Sequence, residues 1–261
     1  MKKAKKTRSK NDVEEDKLRY DPSRRQALPP TNSVVVDIPQ FQYPKLNDVI
    51  ISPREGQKFS ISKLIEDSKP GTTINIPTGV YNESLLIDKP LKLIANGSVK
   101  LVSSGNEPVV RIISEGVSFR GFEFSHRISE ADSSNAAIII ESGSALLLDC
   151  SIKSDACPAM CLQQESTVNA NGCRFISKNA PNFLSTGSSS GIFELCNFQG
   201  SSSNGVVMRE KSVIKYTRCS SNIITFKRIT ANNFCIIFAV MCWCELLIFN
   251  VVKVNLVTFI G

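Results

Sequence analysis

The strongest constraint on this chain is a beat. Cys150, Cys173, Cys196 and Cys219 fall at intervals of 23 residues, inside the blocks LLDCSIK, ANGCRFI, FELCNFQ and YTRCSSN. Two residues after the first three cysteines stand Ile152, Phe175 and Phe198, and the fourth block weakens to Ser221. Three residues before each stand Leu147, Ala170, Phe193 and Tyr216, while Leu148, Asn171, Glu194 and Thr217, two before, read as outward positions. An earlier copy, ISEGVSFRGFEFS, sets Phe122 at the cysteine position and Phe124 two later, 28 residues ahead of Cys150. The polar stretch SHRISEADSSNA absorbs the five extra residues.

A unit of this length is too long for a hairpin and too strand-like for a helical solenoid. Short apolar runs such as TTINIP, ESLLI, LKLIA and VVRII, separated by Gly, Ser and Asn, read as strands. The expectation is an all-β chain: a right-handed parallel β-helix solenoid of about six coils, with three short strands per coil and coils stacked at about 4.8 Å. Equivalent residues then lie above one another, so the cysteines form an interior column of small hydrophobes. Zinc needs ligands converging on one point at about 2.3 Å, and parallel side chains give poor disulfide dihedrals. Nine cysteines with no secretory signal fit a reducing compartment. The reading is a structural ladder of Cys150, Cys173, Cys196 and Cys219, with no catalytic, metal or cofactor site. Cys173→Ser is expected to cost about 1–3 kcal/mol, because a buried hydroxyl would lack a partner, and Cys173→Ala less. The C-x3-C pair Cys157 and Cys161, in the turn between two coils with no second pair or His nearby, is weak as a metal motif.

Four segments follow from composition. Residues 1–30 hold ten basic against five acidic side chains, so this tail carries +5 of the formal +7; it is nearly devoid of apolar residues and expected to be disordered. It lacks the apolar core of a signal peptide, and its DVEED cluster argues against a mitochondrial presequence. Without interleaved aromatics it is not expected to bind nucleic acid, and a cytoplasmic or nuclear location is expected. Residues 31–57 form a Pro-punctuated lead-in and 58–222 the β-helix. Within the latter, FSISKLIEDSKPG reads as a short helix with Ser60 as N-cap, Ile61, Leu64 and Ile65 on one face, and Pro70-Gly71 as its stop. Residues 223–261 break the rhythm: Phe234 to Phe249 are apolar except for Glu245, although Cys242 falls on the next beat. A tail anchor in a membrane, a degenerate last coil over the open end and an end foreign to the protein, such as read-through, all fit.

The stretch FSISKLIEDSKPGTTINIPTGVYNESLLIDKPLKLIANG resembles the opening of right-handed β-helix proteins of the pectin-lyase-like superfamily, where a short helix caps the core before a PGTTI-x-I-P-x-GVY strand. The resemblance covers about Phe59 to Asn222. It implies the fold, with Ile61, Leu64 and Ile65 closing the core, and it extends to non-catalytic scaffolds such as the repeat region of certain F-box proteins. Enzymes of the superfamily are similar to one another in acidic motifs: N-T-D, D-D and H-G in polygalacturonases, Q-D with a later Asp and Arg in pectin esterases, and several Asp with a basic Arg in pectate lyases. None of these strings is present; Gln163-Gln164 matches only part of an esterase site and is followed by Glu165.

Glycoside hydrolysis needs two carboxylates facing one groove. In the 23-residue register Glu141 faces Gln164, Asp149 faces Gly172, and Glu165 faces Ser188 and Ser142, so no two acids stack beside an arginine. The single histidine, His126, is placed in the inserted loop with Arg127, Glu130 and Asp132, exposed and inert. The functional expectation is a non-catalytic scaffold or recognition module, binding a protein or carbohydrate partner on its outer face, without a cofactor. The alternative is a carbohydrate-active enzyme of the pectin-lyase-like type. A membrane is expected as a partner only through Phe234–Phe249.

Overall fold

The computed structural model describes residues 50–52, 60–127, 135–200 and 205–220, the backbone of residue 221, and the backbones of strands 224–229, 236–240, 243–244, 247–250 and 258–260. The tail 1–30, most of the lead-in 31–57, Glu130, Asp132, Cys242 and Glu245 lie outside the described residues. The described chain is a right-handed parallel β-helix of about seven turns, close to the six expected.

Each turn visits three faces. The first three turns cross from face I to face II in unbroken strands, Thr72–Tyr81, Leu91–Ser104 and Val117–Arg127. Later turns break there. Ser144–Leu148, Thr167–Asn171, Ser190–Glu194 and Val213–Thr217 continue face I. Ser151–Ser154, Arg174–Ser177, Asn197–Gln199 and Ser220–Ser221 continue face II. Face III is an eight-stranded parallel sheet running from Leu85–Ile87 through Ile138–Ile140, Met160–Leu162 and Phe183–Ser185 to Leu247–Asn250. Strands of residues 224–260 extend the same sheets, with Ile236 paired to Val213 and Trp243 to Ser220. No helix among the described residues is long and apolar enough to cross a membrane.

Register turns the sequence period into packing. Phe175 pairs with Ile152 on one side and Phe198 on the other, and Ala170 lies between Leu147 and Phe193. Glu123 pairs with Ser151 and Phe124 with Ile152, so the longer third turn does enter the column at the position read from the sequence. Inward columns are almost fully buried, including Phe119, Leu147, Ala170 and Phe193 on face I and Phe124, Ile152 and Phe175 on face II. Equivalent rings stack: Phe175 on Phe198 at 5.0 Å and 11°, and Phe193 on Tyr216 at 5.4 Å and 19°. Each buried Phe contributes on the order of 2 kcal/mol of transfer free energy.

The corner from face I to face II is sharp. It is made by one residue in the left-handed region, immediately before each cysteine: Asp149, Gly172, Leu195 and Arg218, with φ of 53°, 65°, 53° and 53°. Gly121 (φ 78°) does the same before Phe122. Only glycine adopts this conformation without steric cost, and an Asp or Asn tolerates it better than a Leu or Arg. The corner is held by coil-to-coil backbone bonds, from Leu195 N–H to Thr217 O (3.0 Å) and from Asn197 N–H to Cys173 O (2.8 Å).

One helix, α1 (Ile61–Asp67), covers the first turn. Ile61 and Ile65 are buried against the core and Leu64 packs at its edge, as the sequence suggests. Ser60 caps the helix by accepting from Lys63 N–H. Two residues of the first turn complement the helix dipole. Glu83 accepts from Ile61 N–H (3.0 Å), Ser62 N–H (2.9 Å) and both the Ser60 and Ser62 hydroxyls (2.8 Å each), while Lys89 donates to Glu66 O and Ser68 O at 2.9 and 3.2 Å. Partial burial pushes the Glu83 carboxyl up, but these donors pull it down further, to below the ordinary carboxylate range.

Folding therefore lowers this pKa, and the stabilisation it represents is complete above the unfolded value of about 4.3 and lost as pH falls through the folded value. Glu83→Ala is expected to lower stability by about 1–2 kcal/mol at pH 7, with the gap to the wild type closing below about pH 4 in acid-dependent urea melts. Leu195, 53% exposed at φ 53°, gives a test in the other direction. Leu195→Gly is expected to raise the urea midpoint, with a net gain of about 0.5–1 kcal/mol after the entropy cost of glycine.

Candidate functional site

Three groups of chemically active side chains are built by this geometry. The first is the set of corner thiols. Cys150, Cys173, Cys196 and Cys219 are 1–2% exposed and are reduced thiols. Each S–H faces two carbonyl oxygens, one two residues back and one on the preceding turn: Leu147 and Asn171 for Cys173 (3.4 Å each), Ala170 and Glu194 for Cys196 (3.4 and 3.3 Å), Phe193 and Thr217 for Cys219 (3.3 and 3.4 Å). The Cys173 thiol is pulled down by its neighbour Cys150 and pushed up by Cys196 and by burial, ending at about 12; Cys196, between Cys173 and Cys219, also ends at about 12. A thiolate here would face carbonyl oxygens, and the raised values of Cys150, Cys173 and Cys196 favour the protonated thiol.

The second group is the reverse case. His126 is not in a loop: it is the penultimate residue of the strand Val117–Arg127 and is 1% exposed. Its alternation with Phe122 and Phe124 turns it inward, in register with Ser103 on the turn before and Ser154 on the turn after. The apolar columns of face II thus end in a polar one, where Ser103, His126, Ser154 and Ser177 are all buried. His126 Nε2 lies 2.9 Å from Gly105 O, which can only accept, so Nε2 carries the hydrogen and Nδ1 presents its lone pair. Nδ1 lies 3.0 Å from Cys157 Sγ. Ser154 Oγ lies 3.0 Å from the same sulfur and accepts from Cys157 N–H at 3.3 Å, and the Ser177 hydroxyl donates to Cys157 O at 3.1 Å. Cys157 therefore has a histidine beside it, contrary to the sequence expectation.

Cys161, four residues on, lies in an outward apolar cluster with Ala136, Ile139, Leu184 and Val207. Burial lifts its thiol to about 11. The two sulfurs of the C-x3-C spacing thus have different surroundings: Cys157, in the turn before the strand Met160–Leu162, meets His126 and Ser154, while Cys161 within that strand meets apolar side chains. Among the described residues, no group of three or more His, Cys, Asp or Glu side chains is placed to hold a metal ion.

The third group is the outward charge. Glu123 lies between Lys100 (3.0 Å) and Lys153 (2.9 Å) of the adjoining turns, whose hydrogen bonds, Lys153 first, hold its carboxyl below the usual range. Asp155 pairs with Lys178 at 2.6 Å, and Asp149 approaches Arg120 at 4.0 Å. Arg111 bonds Glu141 at 2.6 Å and has Glu107 at 4.0 Å. This arginine between two acids was missed by the 23-residue register, because the third turn is longer and Arg111 pairs with Ile139 (28 residues on). Gln163 and Gln164 do not act together: Gln163 Nε2 reaches the Cys161 sulfur at 4.0 Å, while Gln164 occupies a left-handed corner (φ 53°).

No family model matches the sequence, and no curated protein matches it. Solved structures do resemble it in three dimensions. The pectin methylesterase from Aspergillus niger in deglycosylated form superimposes with a TM-score of 0.50 at 11% identity, covering 79% of this chain and 88% of that one. The pectin methylesterase from carrot gives 0.49 at 13% identity, over 78% and 84% of the two chains. The Aspergillus structure and this chain share the fold, a right-handed parallel β-helix.

The carbonyls around Cys173 reverse the order expected for its variants. A serine hydroxyl at this position finds acceptors in Leu147 O and Asn171 O, whereas alanine leaves a small void and removes the donor. Cys173→Ser is expected to cost under about 1 kcal/mol and Cys173→Ala about 1–2 kcal/mol, compared by urea denaturation of the two variants.

Proposed function

We propose that the chain is a non-catalytic β-helix scaffold, a recognition module that binds a protein or glycan partner along its outer face, stiffened inside by the ladder of Cys150, Cys173, Cys196 and Cys219. The supporting observation is how the outward carboxylates are used. Glu123, Glu141 and Asp155 each form ion pairs of 2.6–3.0 Å with cations of adjoining turns. Hydrolysis of a glycoside calls for one carboxyl free to protonate and another free to attack or activate water; a carboxylate bound to lysine or arginine on the next turn is a strut between coils.

Face II also carries one outward polar residue per turn in a single line, Ser151, Arg174, Asn197 and Ser220. Arg174 is already oriented by Gln199, whose Oε1 accepts from Nε at 3.0 Å and from the guanidinium terminus at 2.6 Å. Such a line of donors at strand spacing suits an elongated partner with a repeating pattern of acceptors. An intracellular location belongs to the same proposal, with the basic tail guiding placement.

The second reading, a carbohydrate-active enzyme, draws on the fold shared with a pectin methylesterase and on Arg111 between Glu107 and Glu141. The two readings separate in one assay. Purified protein is incubated with methyl-esterified pectin and with polygalacturonate, with and without calcium. The scaffold reading expects methanol, reducing ends and unsaturated products all at blank level. Product that disappears in Glu141→Gln would overturn it and assign the chemistry to the Arg111 cluster.

A further inference from the structure

Of the six described cysteines, five face carbonyl oxygens or apolar side chains, and one faces a base. We propose that Cys157 is a covalent modification site, a thiol activated by His126 that reacts selectively with small hydroperoxides to form a sulfenic acid. The cluster supplies what that reaction needs from two successive turns, with a third fixing the tautomer. A nucleophile (Cys157) and a hydroxyl at 3.0 Å from the same sulfur (Ser154) lie on one turn; a base lies on the turn before (His126, Nδ1 to Sγ at 3.0 Å), and its Nε2 donates to Gly105 O at 2.9 Å one turn earlier still. The corner thiols offer the contrast within one molecule. Their protons face carbonyl oxygens, which are too weakly basic to take a proton, while the Cys157 sulfur has an imidazole lone pair within 3.0 Å that can.

The step balances without a further reactant. The thiol proton moves to His126 Nδ1; the sulfur attacks one peroxide oxygen, an S–O bond forms and the O–O bond breaks. The departing hydroxide, or the alkoxide of an organic hydroperoxide, takes the proton back from the imidazolium and leaves as water or as the alcohol. Sulfur loses two electrons and the peroxide is reduced by two, and the histidine ends neutral. Size selects the oxidant: Cys157 is wholly buried, which excludes bulky disulfides, while peroxide is little larger than water. The carbonyl that His126 Nε2 bonds belongs to a turn, Ser104 to Glu107, whose four residues are all exposed. Gly105 has no atom within 4 Å of where a Cβ would be, which leaves open space beside the carbonyl that His126 bonds.

The test uses the whole chain, folded and reduced, exposed briefly to limiting hydrogen peroxide and then unfolded in guanidinium chloride containing dimedone. Tryptic cleavage after Lys153 and Arg174 places Cys157, Cys161 and Cys173 on one peptide, so fragment ions compare the three sites directly. The expected result is at least tenfold more adduct at Cys157 than at Cys173, and the same excess over Cys150 and Cys196. His126→Gln, which can still donate to Gly105 O but offers no base, is expected to cut the Cys157 adduct at least tenfold and leave the other sites unchanged. Equal labelling of Cys157 and Cys173 in the wild type overturns the proposal, whether or not the variant folds. Unchanged Cys157 labelling in a folded His126→Gln protein overturns the role of the histidine and with it the activation.

Discussion

Everything in this structure depends on parallel backbone pairing between successive turns. Once residue i bonds to the strand holding residue i + 23, each side chain is set about 4.8 Å from its equivalent, and one residue type repeated down the chain becomes a column. The stacked rings of Phe175 and Phe198, the inward aliphatics of face I and the corner cysteines all follow from that pairing. Stability in such a stack is shared between neighbours, so the first turn needs its own closure. Helix α1 supplies it, tied at its N-terminus by Glu83 and at its C-terminus by Lys89.

The corner before each cysteine shows two requirements meeting in two adjacent residues. The backbone must turn left-handed within one residue, and the next side chain must be small and able to satisfy nearby carbonyls. Cysteine meets the second need with a compact, weakly polar group that donates to Leu147 O, Ala170 O or Phe193 O of the preceding turn. In the third turn Gly121 and Phe122 fill the same two positions, and Phe122 instead packs edge-on against Phe119 at 5.4 Å.

The fold was legible because its signal is periodic. Inward positions, a short amphipathic helix and the offset of 28 at Phe122 could be read from spacing and polarity alone, while the capping role of that helix came from the family resemblance. The left-handed corner was not, since the residues that make it are Asp149, Gly172, Leu195 and Arg218, and only one is a glycine. His126 was misread for a related reason. Serines surround it in the sequence, which suggests a loop, yet Ser125 and His126 continue a strand whose inward polar column exists only because Ser103, Ser154 and Ser177 stack with it on other turns. Arg111 with Glu107 and Glu141 escaped because a constant register was applied to a turn that is longer. In each case the missing information was a contact between turns, which no local pattern records.

The extra residues of the third turn are confined to one place. Between the register points His126 and Ile138 lie twelve steps of chain, against six between their partners Ser154 and Met160, and yet both flanking sheets continue without a shift. Chain length between faces II and III is therefore free to vary: a peptide grafted there would leave the pairing of Val117–Arg127 and of Ile138–Ile140 with their neighbours unchanged.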